Sequence, residues 1–435
     1  ATYYFVLYKQ AAAFLRRTVQ EAKRSSWRSY VSSISSFTPV STVWSRVRRI
    51  SGKFVRPPAP VLHIDGRSIA DPPAVAAALG AHFSSVSSGS HLPPDFLRRK
   101  PALESPPICF SLSSDGPLNA PFSSRELLSA LSSCRNTCEG PDSIHYLMLK
   151  HLSPQALSLL LTFYNALWSS GFFPSEWSLA FILPFLKPLK SGHLPPDYRP
   201  IALTSCLCKL FERMVNSRLM WFLESRSLLS LFQFGFRFAL STLDPLIRLE
   251  SFVRESFASR LHVLAVFFDI EKAFDSSWRF HILSSLRSFG VCGNMGVFLS
   301  NFLSARSFRV RVGDSLSDPF PQFEGVPQGC VLSTTLFLIA INDIVSSLPH
   351  GVRSSLYVDD FAIYAAGPSS PALHSLLQPA VTAVSRWATD HGFRFSSSKT
   401  QAVTFSRSHG PPQPILTLYG SPIPFLDLVR FLGLS

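Results

Sequence analysis

The chain has 435 residues, 46% of them hydrophobic and 38 of them Phe, so it is long and apolar enough to bury a large core. Its 41 Lys and Arg against 27 Asp and Glu give a formal charge of +14, which favours a polyanion as partner because each neutralised phosphate releases counterions. The sequence shows no apolar run of membrane-spanning length and no signal peptide, which argues against a membrane protein.

The seven cysteines form no Cys-x-x-Cys pair and show no Cys/His zinc spacing, so the sequence predicts neither a disulfide framework nor a zinc finger. An odd number of cysteines in a long chain fits a reducing compartment, and we expect an intracellular protein. Because the chain starts at Ala1 and stops at Ser435 just after an apolar stretch, we also expect it to be a piece of a longer protein.

Residues 1–55 form the first predicted region, which is basic and helical. Between residues 9 and 34 apolar side chains recur at roughly helical spacing, and Lys and Arg occupy the other face. Two interpretations of that basic face stay open: it is solvated, or it contacts RNA or DNA.

Residues 56–122 are rich in Pro, Ser and Gly, with adjacent prolines at several places. Such a composition is typical of turns and irregular chain, because Pro and Gly interrupt regular elements. We interpret this stretch as a linker with few regular elements, in which residues 74–83 have the composition of one short helix.

Residues 123–260 return to regular patterns. Ser123 and Glu126 have the spacing of a capping box before an apolar run, which predicts the start of a helix. Further apolar patterns predict three helices and one strand, at residues 144–152, 154–168, 206–224 and 180–188. Lys187 lies at the end of the predicted strand, and Arg199 follows after a polar, Pro-rich loop.

The most apolar strands come later in the chain. A nearly continuous apolar run at residues 261–268 ends at Asp269, as in a strand buried on both faces. Residues 354–364 predict a hairpin with Asp359 and Asp360 at its tip. The remaining patterns predict further helices and strands, at residues 277–289, 308–312, 333–348, 371–391 and 401–405.

Asp269 and the pair of Asp359 and Asp360 lie far apart in the sequence, each at the tip of an apolar strand. If these strands are neighbours in one antiparallel sheet, three carboxylates converge on one spot. Three convergent carboxylates can hold two Mg²⁺ ions, because this hard cation prefers carboxylate oxygens, and two ions serve phosphoryl or nucleotidyl transfer. The alternatives are an ordinary acidic turn and a solvated strand end.

A site for nucleotidyl transfer also needs cations for the substrate phosphates. Lys187 and Arg199 can supply them, Arg through two parallel hydrogen bonds and Lys as a point charge. Residues 325–329 (Gly-Val-Pro-Gln-Gly) form a loop whose backbone can approach a ligand closely, because glycine has no side chain. The alternative for Lys187 and Arg199 is that they are surface cations. The alternative for residues 325–329 is an ordinary tight turn before a helix.

Five segments in this order resemble the reverse transcriptases of non-LTR (LINE-type) retrotransposons. The likeness covers roughly residues 125–435, with a weaker likeness over residues 9–50. The segments are residues 198–201 (Tyr-Arg-Pro-Ile), 233–237 (Gln-Phe-Gly-Phe-Arg) with 241–244 (Ser-Thr-Leu-Asp), 268–275 (Phe-Asp-Ile-Glu-Lys-Ala-Phe-Asp), 325–329 and 357–360 (Tyr-Val-Asp-Asp). All five together are highly specific, although no single one is decisive.

The resemblance implies an α+β right-hand polymerase made of fingers and palm, the palm having an antiparallel sheet flanked by helices. It assigns residues 123–260 to the fingers and an N-terminal extension, and residues 261–435 to the palm with the start of the primer-grip region at residues 431–433. A thumb would be absent or only begun, and the grip on a primer–template correspondingly poor.

The implied activity is that of an RNA-directed DNA polymerase, which adds dNTPs to a primer 3′-hydroxyl by two-metal nucleotidyl transfer. The implied partners are an RNA template, a DNA primer and dNTPs, with two Mg²⁺ ions as cofactors and Mn²⁺ as a substitute. An endonuclease domain is expected upstream in the full-length protein. The implied location is the cytoplasm and the nucleus, without a membrane partner.

The resemblance also implies a role for individual residues. The implied metal ligands are Asp269, Ile270 through its carbonyl, Asp359 and Asp360. The implied nucleotide-binding residues are Lys187, Arg199, Phe274 and Gln328. Phe274 would exclude a 2′-hydroxyl and so select dNTPs, and Lys399 would act as a catalytic residue by protonating the pyrophosphate. The implied template or primer contacts are Arg237, Tyr357 and Gly433.

Two departures from the family pattern matter. Thr334 stands where the family usually has Pro at the start of a helix, and we expect Ser333 to cap that helix instead. After Arg237 the chain reads Phe-Ala-Leu where a basic residue is commoner, which weakens the expected template contact. Three alternatives stay open: a catalytically inactive remnant that acts, if at all, as an RNA-binding protein; a nucleic-acid-binding protein that keeps the fold; and a Mg²⁺-dependent phosphatase or nuclease.

Overall fold

The computed structural model describes residues 2–35, 43–44, 47, 60–89, 92–408 and 413–434. Two compact units divide the chain, Ala1–Pro58 and Ala59–Ser435. The first unit contains helix α1 (Thr2–Ser32), whose Lys and Arg side chains are exposed to solvent. The predicted basic helix is therefore confirmed, and its contact with nucleic acid stays a prediction. The rest of the predicted first region lies mostly outside the described residues.

The second unit combines helices and strands. Its helices, over the described residues, are α2 (Pro72–Ser87), α3 (Pro94–Leu103), α4 (Ser124–Ser132), α5 (Tyr146–Lys150), α6 (Pro154–Ser170), α7 (Ser175–Ser178), α8 (Cys206–Ser225), α9 (Leu243–Ala258), α10 (Ala273–Ser276), α11 (Arg279–Ser288), α12 (Gly293–Leu303), α13 (Leu332–Ala340) and α14 (Ser370–Asp390). Its strands, over the same residues, are β1 (Leu62–Ile64), β2 (Arg67–Ile69), β3 (Leu179–Leu186), β4 (Tyr198–Leu203), β5 (His262–Phe268), β6 (Ser307–Val312), β7 (Ser315–Leu316), β8 (Phe320–Pro321), β9 (Arg353–Tyr357), β10 (Asp360–Gly367), β11 (Gln401–Phe405), β12 (Thr417–Leu418) and β13 (Ser421–Pro422).

A four-stranded antiparallel sheet in the order β11-β5-β10-β9 lies within the main core. Residues 263–266 of β5 have no exposed surface, because an unbroken apolar run offers no polar face to water. Successive side chains of β5 point alternately to the two faces of the sheet. One face packs into the large core that includes α14, and the other packs against Leu249 of α9. The predicted α+β class, with β5 beside the β9–β10 hairpin, is confirmed.

A second, mixed sheet has the order β4-β3-β6-β7, and β8 also pairs with β6. Strand β3 runs antiparallel to β4 and parallel to β6. Helix α2 covers this sheet, where Val75 and Leu79 pack in one cluster with Ile182 and Val310. Of the residues predicted to bind substrate phosphates, Lys187 directly follows β3 and Arg199 lies on β4, so this sheet positions one wall of the site described below.

Residues 60–122 differ from the linker that we expected. Helix α2 is longer than the predicted short helix, and α3 was not predicted at all. Asp71 caps α2 by accepting a hydrogen bond from the backbone N–H of Ala74, at 3.2 Å, and Pro72 occupies the first turn. Proline is favoured in the first turn of a helix, so prolines that we attributed to a linker instead begin helices. Residues 56–59 of the predicted linker lie outside the described residues.

Helix α3 is anchored by side chains with partners far along the chain. Lys100 places its Nζ 2.5 Å from an Oε1 of Glu324, which is only 8% exposed. Just after the helix, Glu104 accepts a 2.7 Å hydrogen bond from the indole N–H of Trp278. These polar contacts explain why a Pro-rich segment is ordered here, because its charged side chains bind side chains far along the chain.

The other predicted helices and strands are helices and strands in the structure, although some of them begin or end at different residues. The capping box at Ser123 and Glu126 begins α4 as predicted. The helix expected over residues 333–348 ends at Ala340, and a separate 3₁₀ turn follows at Ile344–Ser347. In the part of the chain that is described, no helix is long and apolar enough to cross a membrane.

Candidate active site

Three acidic residues lie at one end of the central sheet. Phe361 of β10 pairs with Phe268 of β5, which brings Asp360 beside Asp269, the residue that follows β5. Asp359 precedes Asp360 in the turn between β9 and β10. The structure therefore brings together the three carboxylates that the sequence analysis singled out.

The electrostatics of this cluster point to a cation. Burial and the charges of Asp359 and Asp269 raise the pKa of Asp360 to about 6. Burial and the charge of Asp269 also raise the pKa of Asp359, against the opposing effects of a backbone hydrogen bond and of Arg199. Like charges held close together disfavour ionisation, and a bound cation removes that penalty. Because all the donors are oxygens, the residues present fit a hard divalent metal ion.

Asp269 and Ile270 are held by the segment that precedes β11. The backbone N–H of Ser396 donates to the carbonyl of Asp269 at 2.8 Å, and Ile270 lies opposite Phe395 in an antiparallel bridge. Lys399 follows on the same segment, with its Nζ 3.1 Å from Oδ2 of Asp269. The predicted lysine thus lies at the carboxylates, although its side chain is largely exposed.

The hairpin tip is supported by the segment that begins at Gln233. Val358, the residue before Asp359, has a φ of 59°, which is unfavourable for a β-branched side chain. The fully buried Gln233 accepts hydrogen bonds from the backbone N–H groups of Val358, at 3.1 Å, and of Gly235, at 2.8 Å. A Cβ on Gly235 would lie 2.4 Å from Cγ2 of Val358, so only glycine fits. These contacts hold the strained turn that carries the acidic pair.

A cavity of about 670 Å³ opens beside the carboxylates. Its lining includes most of the residues predicted to bind metal or nucleotide, namely Lys187, Arg199, Ile270, Phe274, Gln328, Asp359 and Lys399. These residues come from β3, β4, the segment after β5, the glycine-containing loop, the hairpin tip and the segment before β11. The fold therefore gathers them from distant parts of the sequence into one chamber.

One wall of the cavity is cationic. Lys187 donates a 2.7 Å hydrogen bond from Nζ to the carbonyl of Pro196, which fixes the ammonium group. Burial and the neighbouring Arg199 and Lys399 lower the pKa of Lys187. An anionic ligand relieves the repulsion between such closely placed cations, so the wall suits a phosphate-bearing substrate.

Phe274 and Gln328 also line the cavity. The Phe274 ring stacks on Phe337 of α13, with ring centroids 4.5 Å apart and planes 16° from parallel. The side-chain amide of Gln328 donates to both carboxylate oxygens of Asp275, at 3.0 Å each. Burial raises the pKa of Asp275 to about 6, against the opposing effect of these hydrogen bonds. The orientation of the Gln328 amide is therefore fixed before any ligand binds.

The loop at residues 325–329 leads into α13, whose start differs from our expectation. Glu212 of α8 is fully buried and accepts hydrogen bonds from the backbone N–H groups of Val331 and Leu332, at 2.7 and 3.2 Å. Ser333 does not cap the helix, because its hydroxyl donates to the carbonyl of Pro327 at 2.7 Å. The predicted Ser333 cap is wrong, and a carboxylate from another helix replaces it.

Sequence reasoning missed part of the cavity wall. His82 lies on α2, within the stretch that we interpreted as a linker, and Lys272 and Asp275 lie beside predicted residues without having been assigned a role. Burial and the charges of Lys272 and Lys187 lower the pKa of His82. The apolar period of residues 74–83 was the available signal for this helix, but nothing in it indicated which loop or strand the helix covers.

The three residues predicted to contact template or primer are not among those lining the cavity. Arg237 is half-buried and forms an ion pair with Glu224, with Nη2 2.6 Å from Oε2. Tyr357 ends β9 opposite Asp360 and is half-buried. Gly433, with a φ of 88°, lies in a tight turn near the C-terminus. For Arg237, Tyr357 and Gly433 the template or primer contact stays a prediction.

Comparison with known proteins connects this geometry to a family. The family model described as reverse transcriptase (RNA-dependent DNA polymerase) matches residues 188–434. The probable RNA-directed DNA polymerase from transposon BS of Drosophila melanogaster is 31% identical over 304 residues, which cover 68% of this chain and 33% of that protein. The RNA-directed DNA polymerase from mobile element jockey of the same species is 30% identical over 302 residues, with the same coverage of 68% and 33%.

A third relative, the probable RNA-directed DNA polymerase from transposon X-element of Drosophila melanogaster, is 28% identical over 301 residues, again covering 68% of this chain and 33% of that protein. The chain thus spans about a third of the length of these curated relatives. The family match covers more than half of the chain and includes the acidic cluster and most of the cavity wall. The resemblance to the enzymes of non-LTR elements is confirmed, and the chain belongs to the reverse transcriptase family.

Proposed function

We propose that this chain acts as an RNA-directed DNA polymerase that adds dNTPs to the 3′-hydroxyl of a DNA primer paired with an RNA template. One observation carries the proposal: Asp359 of the carboxylate cluster lines the same cavity as the cationic wall. Nucleotidyl transfer needs both, because a triphosphate must be held while charge develops on its departing oxygens. A phosphatase or nuclease would leave the fixed Gln328 and the stacked Phe274 without a purpose.

For the cofactor we propose Mg²⁺, with Mn²⁺ as a substitute. Reverse transcriptases use divalent metal ions, and the carboxylates of Asp269, Asp359 and Asp360 with the Ile270 carbonyl would hold two of them. When bound, these ions neutralise phosphate charge and lower the pKa of the primer hydroxyl. Carboxylate and carbonyl oxygens suit Mg²⁺ better than a softer metal.

The side chains around the cavity would then bind the triphosphate, donate a proton and contact the incoming nucleotide. Lys187 and Arg199 bind the triphosphate, Arg199 with its fork of donors and Lys187 as a fixed point charge. Lys399 carries a proton at Nζ beside Asp269 and can give it to the departing pyrophosphate. Gln328, oriented by Asp275, presents the rest of its side chain to the incoming nucleotide.

Phe274 is proposed to select dNTPs over rNTPs. Its ring is stacked on Phe337 and cannot retreat, so a ribose 2′-hydroxyl would meet it. We expect Phe274→Val to raise rNTP incorporation relative to dNTP incorporation by about 10- to 100-fold. Single-nucleotide extension with matched dNTP and rNTP measures this ratio. Phe274→Tyr keeps the ring and should keep the selectivity; a Val variant that only loses rate would contradict the assignment.

The remaining partners and context are also proposals. We infer contacts to the primer–template from the net charge of +14 and propose that Arg237, Tyr357 and Gly433 make them, with Arg237 also donating to the carbonyl of Gln233 in the segment that supports the hairpin. Residues 123–260 would be the fingers with an N-terminal extension and residues 261–435 the palm. An endonuclease domain upstream in the full-length protein, and residence in the cytoplasm and nucleus, complete the proposal.

Primer extension tests the proposed activity. The chain would be mixed with a DNA primer on an RNA template under single-turnover conditions, with an excess of protein, and RNA retention would be measured in the same samples at low and moderate salt. We expect Mg²⁺-dependent extension by the wild type and none by Asp359→Asn/Asp360→Asn, with equal RNA retention. Retention without extension would favour a binding protein. Loss of both would favour an inactive remnant.

A further inference from the structure

A cluster of two histidines and one aspartate lies outside the polymerase cavity. His281 is on α11, Asp343 follows α13, and His391 caps the end of α14. The Nε2 atoms of His281 and His391 lie 3.9 and 3.6 Å from the two carboxylate oxygens of Asp343. The three potential ligand atoms all lie within 4.8 Å of one another. None of the three residues lines the cavity with Asp359.

Hydrogen bonds to the backbone orient both imidazoles. Nδ1 of His391 lies 2.8 Å from the carbonyl of Trp387, and because a carbonyl only accepts, Nδ1 carries the proton. His281 has a hydrogen bond to the backbone of Ala340. Its Nε2 is buried and has no hydrogen-bond partner within the described residues. The Nε2 atoms of both rings lie beside the Asp343 carboxylate.

Such an arrangement is unfavourable unless something positive lies between the groups. The Nε2 atoms of two imidazoles converge with a carboxylate, and a buried polar atom without a partner, such as Nε2 of His281, costs free energy. The carboxylate receives one neutral donor, the indole N–H of Trp387 at 3.0 Å, which orients it. A metal cation satisfies all three groups at once.

We propose that His281, Asp343 and His391 bind a divalent transition-metal ion, for which Zn²⁺ is the best candidate. Two imidazole nitrogens and one carboxylate suit Zn²⁺ rather than Mg²⁺, and a histidine that ligates through Nε2 typically donates Nδ1–H to a carbonyl, as His391 does here. Ligand atoms around a tetrahedral Zn²⁺ lie about 3.3 Å apart. The histidine nitrogens, which are 3.9 and 3.6 Å from Asp343 in a cluster whose atoms all lie within 4.8 Å of one another, would draw closer on binding. Asp343 is half exposed, which leaves room for a water as the fourth ligand.

The site would be structural. It joins α11 to the end of α14, and the chain that leaves α14 carries Phe395 and Lys399 back to the polymerase carboxylates. The sequence analysis did not predict this site, because its ligands are separated by 62 and 48 positions, from 281 to 343 and from 343 to 391. Bound metal would stabilise the second unit whether or not the chain copies RNA, so the inference does not depend on the proposed function.

The test uses the full chain, stripped with a chelator and then reloaded. We expect one Zn²⁺ per chain by elemental analysis and a rise in Tm of at least about 2 °C with Zn²⁺. Co²⁺ should give the visible absorption of a tetrahedral nitrogen and oxygen site, without the ultraviolet charge-transfer band of thiolate ligands. Mg²⁺ should shift the Tm of the wild type and of His391→Gln equally.

Two variants and one control keep the inference falsifiable. His391→Gln should lose the bound Zn²⁺ and the Tm rise. Asp343→Asn keeps an oxygen for the Trp387 indole, so it should stay folded while its Zn²⁺ affinity falls at least about 10-fold. The control is His193→Gln, because His193 also lies beside a histidine, His63, with ring centroids 4.7 Å apart. Absence of bound metal in the wild type, a thiolate spectrum, or equal loss in the control would overturn the site.

Discussion

Asp360→Asn is expected to abolish nucleotide addition without destabilising the protein. Extension should fall by at least about 10²- to 10³-fold, because the residue supplies charge that the reaction needs. The metal-free variant should be as stable as the wild type or more stable, since burial and two neighbouring carboxylates disfavour this charge in the folded protein. A residue that opposes stability and supports activity is typical of a functional site.

Thermal unfolding in chelator and in Mg²⁺, together with primer extension, measures both effects. We expect Mg²⁺ to raise the Tm of the wild type and to have a smaller effect on Asp360→Asn. Asp65→Asn is the matched control, because Asp65 is an exposed aspartate with a φ of 49° in the β1–β2 turn, a conformation that Asn also tolerates. A variant that loses activity only because it unfolds would refute a functional role for Asp360.

Glu212→Ala is expected to destabilise the chain's second unit strongly. The variant leaves the buried N–H groups of Val331 and Leu332 without an acceptor. Two hydrogen bonds to a charged group are worth about 3–6 kcal/mol, a large part of the roughly 5–15 kcal/mol that stabilises a typical protein. Because α13 carries Phe337 under Phe274, nucleotide addition should weaken as well.

Urea unfolding measures the change, and Glu212→Gln is the informative comparison. A glutamine can place its carbonyl oxygen where Oε2 of Glu212 accepts both N–H groups, and its NH₂ group can face Sγ of Cys208, which lies 3.4 Å from Oε1. We therefore expect Gln to retain most of the stability that Ala loses. Equal destabilisation by both variants would show that charge, and not the two hydrogen bonds, is what α13 requires.

Much of the central sheet could be predicted because its signals are local. The unbroken apolar run of β5 and the paired acids between β9 and β10 each follow from the residues within one element. Their meeting in one sheet required only that neighbouring antiparallel strands bring their ends together. The carboxylate cluster was therefore accessible to sequence reasoning.

The features that could not be predicted depend on partners far along the chain. Nothing near Ser333 shows that Glu212, on a different helix, caps α13. The sequence likewise does not show that Arg237 forms an ion pair with Glu224. The prolines before α2 and α3 suggested a linker because composition does not reveal whether a helix has a surface to cover. The site at His281 could not be predicted because its three ligands lie far apart along the chain.

The most direct test of the central claim is templated incorporation of single nucleotides. Four RNA templates that differ only at the base after the primer would each be offered one labelled dNTP at a time, in Mg²⁺ or in chelator. The account predicts that each template selects its complementary dNTP, that chelator abolishes incorporation, and that Asp359→Asn/Asp360→Asn incorporates none. Incorporation that ignores the template base, or none at all by wild-type chain that holds the primer–template, would contradict it.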